Sequence, residues 1–229
     1  MGKIHGKNTT IYFGRYDFSG DGNRLALTTN VDTAEVTGFN DVGKQFVEGN
    51  YGWVASMNGY WNNADEQVDP SVFNQIGLGP LPLQVLLAGT TPGNRGYGGY
   101  SNAITYNPES TQNGPVIFSA GWQGTAVLRG FTVLDSGIKS VSGTSTAYNV
   151  GSGTAYGFIR IALNPTGTCA VTVQASTAVG GVYSSVIGPI NYTAGTGDLR
   201  GGTSLLSGPW FRAVYTLTQG PFTLTVSCG

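Results

Sequence analysis

Short runs of Val, Ile, Tyr, Phe and Thr, each broken by Gly, Asn, Ser or Pro, recur along the whole chain. β-branched and aromatic side chains suit a pleated, half-buried surface, while Gly and Asn supply the turn conformations between such stretches. Of 229 residues 37 are Gly, and aromatic residues at 11 % outweigh charged ones at 10 %. A disordered chain has the opposite balance, with high charge and few aromatics. The pattern therefore predicts an all-β protein of many short strands.

TTIYFGRYDF, from Thr9 to Phe18, reads as a strand turning at Gly14, and the turn SGDG at Ser19 to Gly22 leads into the alternating strand NRLALTTNV. Residues 32–49, punctuated by Gly38, Asn40, Asp41 and Gly43, read as a long connection with extended patches. GWVASMNGYW then places Trp53, Ala55, Met57 and Trp61 on one face and Val54, Ser56, Asn58 and Tyr60 on the other. One short helix is predicted from Asp69 to Ile76, with Asp69 as N-cap, Pro70 in the first turn and Gly77 at the C-terminal end. LPLQVLLA, residues 81–88, is apolar throughout and predicts a strand buried on both faces or in an interface. GTTPGNRGYGGYSN follows without periodicity and reads as an arm or subunit-contact loop, with Tyr97 and Tyr100 as anchors.

Strands are expected next at NAITYN, PVIFSAGW and TAVLRGFTVL. The Ser/Thr/Gly-rich stretch 136–153 is the expected joint between an N-terminal β domain, 1–135, and a C-terminal β-sandwich, 154–229. Within the latter, AYGFIRIAL, CAVTVQAS, GGVYSSVIG, PINYTA, PWFRAVYTL and PFTLTVSC are strand candidates. Cys169, Val171 and Val173 share one face of their strand, and Phe222, Leu224, Val226 and Cys228 share one face of the last. If those strands lie antiparallel side by side, Cys169 and Cys228 could bridge; two buried free thiols are equally open for a chain assembled in a reducing cytoplasm.

Eleven basic against twelve acidic residues leave a net charge of −1, which supplies no field to hold a phosphate backbone. A surface this poor in charge suits packing against copies of the same chain. No apolar run approaches the roughly 18 residues of a membrane-spanning helix, and the N-terminus lacks a signal-type apolar core, so the mature chain is expected to start at or near Met1. The one histidine, His5, stands far in sequence from either cysteine, which speaks against a nucleophilic triad and against zinc. Asp17, Ser19 and Asp21 before Gly22 have the spacing of a calcium loop, but its twelfth position is Thr28 and not a bidentate Glu. Walker A, dinucleotide-binding and HExxH motifs are absent. No enzyme activity, metal or cofactor is expected. Trp210 and Phe211 leave room for a sugar-stacking platform, although one core and one surface residue is the simpler reading.

Several of these segments carry a family likeness. KIHGKNTTIYF, TNVDTAEVTGF, KQFVEG, GWVASMNGYW and the helix DPSVFNQI together resemble the tail-tube (major tail) proteins of long-tailed phages. The resemblance covers about residues 1–135 and implies a β-sandwich or small barrel with one flanking helix. It further implies self-association into stacked rings, commonly hexameric, that enclose a channel in which DNA is passing cargo, within a virion assembled in the bacterial host cytoplasm. The C-terminal part, ending PWFRAVYTLTQGPFTLTVSC, is similar to immunoglobulin- or lectin-like modules of phage structural proteins. The added C-terminal hundred residues leave capsid decoration, a minor tail role or carbohydrate adhesion as alternatives. Candidate subunit-contact residues are His5 and Lys7 in the N-terminal segment and Arg95, Tyr97 and Tyr100 in the glycine-rich loop.

Overall fold

A computed structural model describes residues 6–151, 153–161, 168–193, 195–206 and 209–229. The fold is all-β with one α-helix. After a short 3-10 turn at Gly6–Asn8 the strands are β1 (Thr10–Phe13), β2 (Tyr16–Asp17), β3 (Gly22–Glu35) and β4 (Phe46–Tyr60), followed by helix α1 (Val68–Gln75). Next come β5 (Leu81–Leu86), β6 (Arg95–Glu109), β7 (Ile117–Gly124), β8 (Arg129–Lys139), β9 (Gly143–Thr144) and β10 (Tyr148–Asn149). The chain ends with β11 (Gly153–Ile161), β12 (Thr168–Ser176), β13 (Ser184–Thr193), β14 (Thr196–Leu206), β15 (Trp210–Gln219) and β16 (Phe222–Cys228).

These elements form two compact units that interleave in sequence. One takes the residues up to Gly20, Leu81–Gly99 and Arg129–Gly229, the other Asp21–Pro80 and Tyr100–Leu128. This division differs from the expected cut at 136–153. That stretch holds the end of β8 together with β9 and β10. Its Ser, Thr and Gly residues are compatible with short edge strands as well as with a linker, so composition alone does not separate the two.

In the first unit, strands run in the order β14-β11-β16-β8-β6-β5-β1-β2, and a second sheet runs β10-β15-β12-β13 with β9 on β15. A sandwich core joins them: Leu134, Ile159, Phe222, Leu224, Val226 and Cys228 from the first sheet meet Cys169, Val171, Val173, Val186, Phe211 and Ala213 from the second. The alternation expected for β12 and β16 is thus the core-facing parity. Because β16 pairs with β8 and Leu134 of β8 belongs to the same core, the sandwich is not built from residues 154–229 alone.

Strand β16 is also buried on its other face, at Thr225 and Ser227. There Gln84 Nε2 of β5 donates to Ser227 Oγ at 2.7 Å, the Arg160 guanidinium lies 4.3 Å from the Tyr12 ring centre, and Phe131 meets Phe158 edge-on at 6.3 Å. The sheet therefore curls over its own inner surface. Gly96 and Gly98 of β6 fit there because a Cβ at either would stand 2.4 Å from Leu86 Cδ2 or 2.7 Å from the Leu83 carbonyl oxygen. At the end of the curl, a Cβ on Gly197 of β14 would sit 1.7 Å from the carbonyl oxygen of Gly14, whose φ of 56° turns the chain from β1 to β2.

The second unit is a four-stranded antiparallel sheet, β3-β4-β7 with the Ser101–Glu109 part of β6. Trp53, Ala55 and Met57 of β4, Phe118, Ala120 and Trp122 of β7, and Ala103 and Tyr106 of β6 form its buried face, with Val68 and Val72 of α1 also in the core. Two carboxylates fix the helix. Asp21 accepts from the Val68 backbone N–H at 3.1 Å and from Asn62 Nδ2 at 2.9 Å, while Asp69 Oδ1 accepts from Trp61 Nε1 at 2.7 Å and Tyr106 Oη at 2.9 Å. The helix thus begins one residue earlier than expected, with Gln67 at the cap position making no side-chain capping bond. Asp21, 47 positions away in sequence, supplies the missing acceptor, and Asp69 is left to hold two aromatic donors. Gly77, with φ at 82°, ends the helix as expected.

Leu224 is fully buried in the sandwich core. Leu224→Ala is expected to lower unfolding free energy by about 2 to 5 kcal/mol in urea titration, the usual cost of a buried leucine with its cavity. An unchanged denaturation midpoint would contradict this packing.

Candidate functional site

The sheet of the second unit has two unlike faces. Opposite its core, registered rungs cross it as Thr28–Val54–Gln123–Asn102, Ala26–Ser56–Gly121–Thr105 and Arg24–Asn58–Ser119–Asn107. Hydroxyls and amides dominate, and Arg24 is the single charge in these rungs. A depression of about 570 Å³ opens at one end, lined by Asn23, Asn58, Asn107, Glu109 and Ser119 among others. Its lining holds one carboxylate, Glu109, and no histidine or cysteine.

Within this unit the sheet has free edges on both sides. Among the described residues β3 is paired with β4, and the Ser101–Glu109 segment of β6 with β7. Unpaired edges present rows of backbone donors and acceptors to another chain. Beyond Thr29 and Trp53 the β3–β4 hairpin leaves the core and continues as a two-stranded arm through Val31↔Tyr51, Thr33↔Glu48 and Glu35↔Phe46. A bulge between the first two of these pairs shifts the register by one residue on β4. Every residue from 28 to 51 is exposed, among them Val31, Val36, Phe46, Val47 and Tyr51, with Phe39 and Val42 in the tip loop fully so.

The tip is nonetheless held by hydrogen bonds. The Gly38 N–H donates to Asp41 Oδ2 at 2.6 Å, the Asp41 N–H to the Gly38 carbonyl at 3.1 Å, and the Gln45 N–H to Thr37 Oγ1 at 3.0 Å. Lys44 Nζ pairs with Glu35 Oε2 at 2.9 Å. Residues 32–49 are therefore the end of a hairpin, and the extended patches expected within a long connection are its two paired strands. The missed signal is the alternation of Val31, Thr33 and Glu35 opposite Phe46 and Glu48 around a Gly/Asn/Asp/Gly turn, a hairpin pattern in which polar and apolar residues mix because neither face has a core.

The candidate contact residues fall elsewhere. His5 lies outside the described residues, and Lys7 is exposed in the N-terminal 3-10 turn. Arg95, Tyr97 and Tyr100 do not form an arm; they sit on β6, where Arg95 pairs with Thr132 and Tyr97 with Gly130. Glycines that look like loop punctuation are here the inward positions of a strand, while Arg95 and Tyr97 point outward and Tyr100 is half-buried. Asp17 and Ser19 form a local turn in which the Ser19 N–H donates to Asp17 Oδ1 at 3.0 Å, and Asp21 is committed to the helix. Among the described residues no group of three or more His, Cys, Asp or Glu side chains could hold a metal ion.

Cys169 and Cys228 are both buried free thiols. Their strands are not neighbours: β12 lies between β13 and β15, whereas β16 lies between β11 and β8 in the other sheet. The side-by-side arrangement that a bridge required is therefore absent.

No family model matches the chain, and no curated protein matches it. Among solved structures it is similar to a chain in the virion of a native gene transfer agent particle, at a TM-score of 0.47 and 14 % identity over 55 % of this chain and 97 % of that one. It is similar also to the SPP1 tail tube, at 0.43 and 8 % identity over 56 % of this chain and 80 % of that one. A third likeness, to the SPP1 Dit protein of a hub adsorption apparatus, has a TM-score of 0.39 and 9 % identity over 96 % of this chain and 99 % of that one.

Burial pushes the Cys169 thiol up to about 11 and the Cys228 thiol up to about 12, from an ordinary 9.0. Both should resist a thiol reagent at pH 8 until denaturant is added. With folded values above the unfolded one, their contribution to stability is full below about pH 9 and falls as pH rises through 11 and 12. Rapid labelling of the native protein at pH 8 would overturn the placement of both strands.

Proposed function

We propose that this protein is a structural component of a tailed-phage virion, and specifically a tail-tube subunit that associates with its own copies into rings which stack around a DNA channel. The carrying observation is the second unit's sheet: two free edges, a polar face, a helix-bearing apolar face, and an exposed hairpin arm. Edge-to-edge pairing of β3 of one copy with the β6 segment of the next would satisfy both rows of backbone groups and extend the sheet from subunit to subunit. That contact is heterologous, and a heterologous contact repeated by a closing rotation makes a ring. A second, head-to-tail contact would then stack rings.

The sequence resemblance of KIHGKNTTIYF, TNVDTAEVTGF and GWVASMNGYW supports the same reading, since these segments form β1, β3 with the start of the arm, and β4. The near balance of charge supports it too, because copies at net −1 repel each other little. Other tail or capsid proteins would be partners at the ends of such an assembly. The role is geometric and needs no catalytic residue or cofactor.

Negative-stain electron microscopy over a concentration series, with size-exclusion chromatography alongside, tests the proposal. Rings or hollow tubes are the expected result. A monomer that never assembles, or a protein that binds only preformed shells, would refute the tube role and favour decoration.

A further inference from the structure

The sheet edges account for lateral contact, but the arm carries a second apolar surface that edge pairing leaves uncovered. Val31, Val36, Phe39, Val42, Phe46, Val47 and Tyr51 are each more than two-fifths exposed. Together they expose on the order of 800 Å² of surface, spread over the two faces and the tip of the ribbon. Two-stranded ribbons without a core are marginal in water, so such an arm is built to be covered. Residues 29–52 hold four carboxylates, Asp32, Glu35, Asp41 and Glu48, against one cation, Lys44. That charge disfavours an anionic lipid surface as the cover.

Another exposed apolar patch of the same unit lies at the helix. Phe73 is 65 % exposed, Ile76 40 % and Leu78 72 %, at the C-terminal end of α1 and in the turn after it. Residues 70–80 include no charged side chain. The arm and the helix patch are both solvent-exposed on one and the same unit, so neither covers the other within a chain, and one arm per patch is the stoichiometry that identical copies supply.

Resting on the self-assembly reading above, we propose that the tip of the arm, led by Phe39 and Val42, docks on the Phe73–Ile76–Leu78 patch of a second copy. The hydrogen-bonded turn at Gly38–Asp41 presents Phe39 in a fixed pose, which reduces the ordering cost of binding. Joining two different patches makes the contact head-to-tail, so it propagates instead of stopping at a dimer. Phe39→Asp and Phe73→Asp should each raise the concentration needed for assembly by about tenfold or more, as loss of an anchor side chain does.

Cross-linking decides it. Phe39→Cys and Leu78→Cys proteins are mixed, assembled and oxidised with copper phenanthroline; the native thiols are buried and serve as silent background. A covalent pair of 23.8 kDa chains that forms in the mixture, and not with Phe39→Cys plus Val127→Cys, is the expected result. Ile76→Cys replaces Leu78→Cys if the latter fails to assemble. Assembly without that cross-link, or Phe39→Cys bridging to itself, overturns the docking and leaves self-assembly standing. Failure of the unmodified protein to assemble at any concentration overturns the self-assembly reading, and the docking with it.

Discussion

Strand β16 has to be buried on both faces at once, and the first unit is organised around that requirement. Its even-numbered residues, Phe222, Leu224, Val226 and Cys228, enter the sandwich core, while Thr225 and Ser227 face the inside of the curled sheet. A strand sunk this deeply must spend its backbone groups on two partners, and it does so on β11 and β8. Its inner-face hydroxyls also need partners, which is why Gln84, a polar residue in an otherwise apolar strand, is buried opposite Ser227. The last seven strand residues of the chain thereby tie together segments from both ends of the sequence.

The second unit follows a different logic. Its β4 changes character midway: from Trp53 onward the strand alternates strictly between core and solvent, and before Trp53 nothing is buried. Continuous hydrogen bonding to β3 carries the arm past the end of the core. Such a strand is stabilised at one end by burial and at the other only by its partner strand. Asp21 and Asp69 secure the rooted end, since they hold α1, Trp61 and Tyr106 beside the sheet with charge-assisted hydrogen bonds.

Where a single face decides burial, the sequence is readable: the alternation in GWVASMNGYW and CAVTVQAS matches the buried sides of β4 and β12. LPLQVLLA, apolar apart from Gln84, is indeed buried on both faces in β5, from Pro82 to Leu86. Legibility fails where side chains meet partners distant in sequence. Gly96 and Gly98 look like loop residues until the Leu83 carbonyl and Leu86 are placed against them. Local sequence points to Asp69 as the helix cap because Asp21 lies 47 positions from the Val68 N–H that it accepts. TGDLRGGTSLL gives little apolar alternation, yet it forms β14, because an edge strand against β11 needs only one good neighbour. The arm is the least legible element, since a ribbon exposed on both faces has no core within its own chain to impose a pattern.

Because every residue of the arm from 28 to 51 is exposed, its length is free to vary independently of the domain that bears it. A strand rises about 3.4 Å per residue and alternates its faces with period two. Inserting two residues in each strand would move the tip outward by about 7 Å with the same side chains facing the same way, whereas inserting one would turn the two faces over. The reach of the arm thus has discrete settings, and the bulge between Val31 and Thr33 is one such half-step already taken. Chains of this architecture can change how far the tip reaches by hairpin length alone, without disturbing a single core contact.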